Sequence, residues 1–253
     1  MKTGMQALSL LLAVALAGAI LVPVVSADNE QIDIKESRQI VSKTINESTP
    51  WDAKEAAKIE DQIDNILMNT MLIKSYGLST YNVQRVRTDT LDVPDDGYSS
   101  ADGSYKLYKV NEQDSSYDYY ILWMKATGMN NDDGLIPSYL REVKPGISLT
   151  NSNERITDWE PISDTYTSSL VKITVSLGVD HGGITAGASQ DFDLQSGHVG
   201  PDELSTSSGG YFRPHWSGNY QGSQGLIGGA EFRVPQGGAY NYDITLDVTG
   251  AGY

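Results

Sequence analysis

Val171, Ile173, Val175, Leu177 and Val179 are apolar, while Lys172, Thr174, Ser176, Gly178 and Asp180 between and after them are polar or small. A period of two is that of a half-buried β-strand, one face dry and the other wet. Asp180-His181-Gly182-Gly183 follows, and glycine accepts positive φ without steric cost, so the chain turns here. Alternation resumes at Ile184, Ala186 and Ala188, with Thr185, Gly187 and Ser189 opposite. The stretch from Thr165 to Leu194 therefore reads as a β-hairpin, and the rest of the chain must supply sheets for it to join.

It does. Tyr81–Val86, Tyr105–Val110, Tyr117–Ala126, Ala230–Val234 and Tyr240–Val248 are further strand candidates, rich in aromatic and β-branched residues. Turn residues separate them at 91–97, 101–104 and 130–134, and Pro235-Gln236-Gly237-Gly238 has the chemistry to join the last two as a hairpin. Ahead of the strands, Thr49-Pro50-Trp51-Asp52 starts a helix with a cap, a proline at the first helical position and an acid three residues on. Ala56, Ile59, Ile63, Ile66 and Leu67 give that helix one apolar face, and Gly77 stops it. Residues 28–48 are polar and mixed, with Ile40, Val41 and Ile45 at helical spacing. The expected fold is mainly β, an antiparallel β-sandwich with an N-terminal amphipathic helix packed on a sheet, an α+β arrangement. Residues 28–77 form the helical N-terminal segment and 78–253 the sandwich. Within it, 134–164 carry Pro137, Pro145 and Pro161 and read as an irregular connection with at most an edge strand.

Residues 1–27 are set apart. Lys2 precedes an uncharged run from Met5 to Ala27, and Val25-Ser26-Ala27 is a small-residue exit before Asp28-Asn29-Glu30. This is the pattern of an export signal. Its length also suits a retained anchor. Lys2-Thr3-Gly4 before Met5-Gln6-Ala7-Leu8-Ser9 resembles the cleavage context of archaeal pilins, which implies a filament subunit keeping residues 5–27 as its core helix. The glutamate common at the fifth mature position of bacterial pilins is absent, and Pro23 with the small residues at 25–27 favours ordinary cleavage. After cleavage at Ala27 no apolar run is left to insert in a membrane.

The 253-residue chain has a net charge of −15 and no cysteine. Acidity argues against nucleic acid and against electrostatic docking on anionic lipid. Lack of cysteine excludes thiol catalysis and means that an exported form is held by packing alone. There is no G-x-S-x-G, H-E-x-x-H, P-loop or dinucleotide fingerprint, so nothing marks an enzyme. A glycan-active hydrolase with paired carboxylates is the one catalytic alternative left open.

Several groups could bind. His181, His198 and His215 are spaced by 17, but a strand of ten residues carries the chain about 30 Å, which separates His181 from His198 and argues against a joint zinc site. Asp95 and Asp96, and Asp132 and Asp133, sit in turns that fail the EF-hand pattern yet could hold calcium, the one cofactor these residues suggest. Tyr211, Phe212, Trp216 and Tyr220 could stack on sugar rings or anchor a protein partner; alternatively Phe212 and Trp216 plug the end of the sandwich. Asn46-Glu47-Ser48 is a glycosylation sequon. The hairpin itself has the alternation and length of a membrane-spanning β-hairpin of a pore-forming protein, a pattern shared with any sandwich strand that has a wet face. The expected role is a secreted or cell-surface binding or structural protein, acting on a protein or glycan.

Overall fold

The computed structural model describes residues 35–70, 79–81, 83–131, 137–181, 184–206 and 210–252. Among them, antiparallel sheets dominate. A five-stranded sheet runs β3 (Val83–Val93), β4 (Ser99–Val110), β5 (Tyr117–Asn130), β14 (Ser223–Pro235) and β7 (Arg155–Glu160). A seven-stranded sheet runs β1 (Lys35–Asn46), β15 (Asn241–Gly252), β6 (Ser138–Leu149), β13 (Pro214–Tyr220), β11 (Gly197–Pro201) and β8 (Thr165–Thr167), with β12 (Tyr211–Phe212) also on β6. The two pack face to face as a sandwich. Leu107, Leu122, Met124, Val143, Phe232, Leu246 and Val248 are buried in its core. The sheets meet closely where a side chain is missing: a Cβ at Gly128 would collide with Val143 across the interface. Tyr105 reaches over and donates its hydroxyl to the Thr245 carbonyl at 2.5 Å.

Helix α1 (Ala53–Thr70) lies on the other face of the five-stranded sheet. Tyr105 points to the core, so its neighbour Lys106 points outward, where it pairs with Glu60 of α1; Lys125 likewise pairs with Asp64. Ala56 and Ile63 are the buried side of α1. The cap is Asp52, not Thr49. Its Oδ1 accepts from the Lys54 and Glu55 amides at 2.9 and 3.2 Å, so the acid at N3 is Glu55.

Four expectations need correction. Residues 35–46 are a strand, paired along its whole length with β15, not helix-like. The inward positions of β1 are Ser37, Gln39, Val41, Lys43 and Ile45. The polar ones are satisfied there: Ser37 donates to Asp96, Gln39 to the Pro94 carbonyl and Lys43 to Asp89. Period two was therefore invisible in hydropathy alone. Residues 138–149, expected to be irregular, are the central strand β6. Pro145 is tolerated because it lies between the β13 pairing, which reaches Val143, and the β12 pairing at Ile147, where its missing N–H costs no bond. Ala101–Ser104 are strand rather than turn, paired with β3 on one side and β5 on the other, and Gly103 leaves room for Leu246 of the facing sheet. Finally, β14 and β15 are not a hairpin: the turn after Pro235 carries the chain from one sheet to the other.

Candidate functional site

The hairpin forms where the alternation placed it, as β9 (Val171–His181) and β10 (Ile184–Leu194). Thr165–Thr167 belong instead to β8. With β2 (Ser79–Tyr81), which pairs Gly187–Ser189 of β10, the hairpin makes a third sheet separate from the sandwich sheets. Its register matches like with like. Val171 pairs with Leu194, Ile173 with Phe192, Leu177 with Ala188 and Val179 with Ala186, while Lys172 pairs with Asp193, Thr174 with Asp191 and Ser176 with Ser189. The exceptions are Val175 opposite Gln190 and Ile184 opposite His181. Val175, Leu177, Phe192 and Leu194 are buried, and Lys172, Thr174 and Ser176 are exposed. Leu177 rests on Gly229 of β14, and its Cδ1 would be 2.5 Å from a Cβ there. Gly228 next to it faces Pro214 in the sandwich interior, so Gly229 faces outward and the hairpin is stowed on the outer face of the five-stranded sheet, the side that carries α1.

The roots of the hairpin enter the seven-stranded sheet as β8 and β11, which pair with each other and place Tyr166 opposite His198. β11 then pairs with β13, bringing in His215 opposite Gly200. Three rings stack in sequence. Tyr166 lies on His198 with centroids 4.3 Å apart and planes at 13°, and His198 meets His215 edge-on at 5.3 Å. Asp164 fixes His198 through Oδ1–Nε2 at 2.8 Å. Gly200 makes room for that carboxylate, which a Cβ would strike. His215 Nε2 is 3.8 Å from Glu142, too long for a hydrogen bond, and has no hydrogen-bond partner. Burial, seconded by the Lys144 ammonium and only partly opposed by Glu142, pushes His215 down to about 4, so the ring is neutral at pH 7.

Beside the rings lies a cleft of about 570 Å³ lined by Glu142, Lys144, Asp164, His198, Asp202 and Glu203, among others. Its charges are largely engaged. Lys144 holds Glu142 at 2.8 Å, and Asp202 accepts from the Leu204 amide at 2.7 Å and lies 3.9 Å from Arg213. Beneath it, Asp247 is wholly buried and takes Arg213 at 2.6 Å and a two-pronged Arg38 at 2.5 and 3.0 Å. Burial opposes the Asp247 charge, but these two guanidinium groups hold its carboxyl below the usual range.

The residues singled out from sequence fall as follows. Phe212 and Trp216 are fully buried, so neither ring is a surface platform; Trp159 stacks on Phe212 at 5.7 Å inside the sandwich. Tyr211 is half-buried and bonds Arg213, and Tyr220 packs against the core. Among the described residues the most exposed aromatic is Tyr166, 74% accessible, which sequence reasoning passed over because it stands alone in its stretch. His198 and His215 are together, on adjacent strands. Asp95 accepts from the Gly97 amide, and Asp96 from the Tyr98 and Ser99 amides and from Ser37, so both do turn work. Burial works against the Asp96 charge, but those bonds outweigh it and leave its pKa lowered. Asp132 and Asp133 lie outside the described residues. Among the described residues no cluster of three or more His, Asp or Glu is placed to hold a metal ion. Asn46 Oδ1 accepts from Ser48 at the end of β1. Among the described residues no helix is long and apolar enough to cross a membrane, which says nothing of strands.

No family model and no curated protein matches the chain. Among solved structures, it is similar to one described as "Pore forming protein", with a TM-score of 0.42 and 8% identity over 60% of this chain and 78% of that one. A likeness at this level carries no argument about activity.

Proposed function

We propose that this is an exported, non-catalytic protein that acts on membranes by deploying the β9–β10 hairpin. The observation that carries the reading is the hairpin's construction: a sheet separate from the sandwich sheets, mostly apolar residues paired with apolar and polar with polar, with Val175, Leu177, Phe192 and Leu194 buried. Strands of 11 residues run about 36 Å, which at the roughly 45° tilt of barrel strands rises about 25 Å, the height of the apolar band of a transmembrane β-barrel. A single hairpin leaves unpaired backbone at its edges, so crossing requires several copies to close a barrel. Residues 1–27 support export, and the acidic chain suits a zwitterionic bilayer better than an anionic one. The test is release of an encapsulated dye from phosphatidylcholine vesicles by the protein starting at Asp28. The expected result is release that rises more steeply than linearly with protein concentration. The absence of release from vesicles that bind the protein would overturn the proposal.

A further inference from the structure

We infer that the Tyr166 ring and the cleft beside it form a binding site for a short uncharged glycan, independent of the hairpin's action. Tyr166 is held at 74% exposure with one face covered by His198, which leaves its other face to solvent. Isolated exposed side chains are ordinary, but this ring is fixed: Asp164 orients His198, His198 backs Tyr166, and His215 backs His198. A ring immobilised before binding loses little entropy when a ligand covers it. The shelf around it is made of small and hydroxyl-bearing residues, Thr167, Ser168, Ser196, Gly197 and Ser217, and it meets the polar cleft at His198.

The chemistry selects the ligand. A flat ring edged by hydroxyls accepts the C–H face of a pyranose and bonds its hydroxyls. The cleft has the volume for one more sugar unit, and its carboxylates at Asp164, Asp202 and Glu203 accept hydroxyl donors. These carboxylates disfavour anionic sugars. An ammonium ligand would want an aromatic cage, and here one ring alone faces solvent beside the cleft. One sugar therefore stacks on Tyr166 and its neighbour enters the cleft, past Asp164.

The test applies the protein to an array of uncharged hexose, pentose and N-acetylhexosamine oligosaccharides, followed by saturation-transfer NMR on any that are retained. Binding of at least one, lost roughly tenfold or more in Tyr166→Ala and kept in Tyr166→Phe, is expected. Tyr166 is exposed, so both variants fold, which thermal melting verifies. No binding to any uncharged glycan, binding indifferent to Tyr166→Ala, or binding of tetramethylammonium in place of sugar would each overturn the inference. Dye release reports on the hairpin alone, so failure of either proposal leaves the other readable.

Discussion

Substituting Gly229 by alanine should loosen the hairpin while sparing the sandwich. The new methyl would lie 2.5 Å from Leu177 Cδ1, against a normal carbon–carbon contact of about 3.5–4.0 Å, so something must yield by about 1 Å. Gly229 is paired on both sides, with Trp123 of β5 and Glu160 of β7, whereas Leu177 sits on a strand whose pairing is to β10. The strain falls on the hairpin, and because the atom that must move is the terminal methyl of the Leu177 side chain, the cost sits at the low end for overpacking, about 1 kcal/mol. At 1.4 kcal/mol per factor of ten, the undocked fraction rises about fivefold. Hydrogen exchange resolved by segment measures this: amides of 171–177 and 192–194 should exchange faster by that factor, with β5 unchanged. On the proposed function, dye release should also be faster. Equal loss of protection in β5 and β9, or none in either, would refute the reasoning that the hairpin is the softer partner.

Asp247→Ala leaves Arg38 and Arg213 without their shared buried carboxylate and should cost about 3–5 kcal/mol in a denaturant titration. His215 binds its proton in the unfolded chain near pH 6.5 but in the fold only near 4, so stability should fall as pH drops across that window. The loss is about 2 kcal/mol once solvent at the ring edge is allowed for, and thermal melts of His215→Gln should lack it. Asp102 faces Asp92 across β3 and β4; burial first, then that neighbour, push its pKa up to about 6. A raised carboxyl pKa costs stability as pH rises through the interval from about 4 to 6, so Asp102→Asn should stabilise the protein at pH 7 by about 1 kcal/mol, after discounting for its half exposure.

The sandwich was legible in the sequence because β4, β5, β14 and β15 carry their own aromatic or alternating signature, as does the hairpin strand β9 outside it. Strand β1 was not, because its inward positions are Ser37, Gln39 and Lys43, whose partners lie far along the chain at Asp96, Pro94 and Asp89. β6 was masked by Pro145, whose harmless place depends on where two other strands stop and start. The site was half legible. The hairpin was readable from local alternation, but the ring stack joins β8, β11 and β13. His198 and His215 are marked in the sequence by their spacing of 17, but nothing along the chain ties Tyr166 to them. The dense aromatic stretch 211–216 drew attention instead, and its largest rings, Phe212 and Trp216, went to the core, where large apolar surface is best buried.

The central claim is that the hairpin leaves the sandwich and enters the bilayer with its alternation intact. The chain has no cysteine, so single cysteines can be placed one at a time from Lys172 to Asp193 and labelled with an environment-sensitive fluorophore. With phosphatidylcholine vesicles, the account predicts a blue shift at every second position, at 173, 175, 177 and 179 on one strand and at 184, 186 and 188 on the other, with the positions between staying aqueous. Uniform aqueous emission at all of them on vesicles that bind the protein would contradict it.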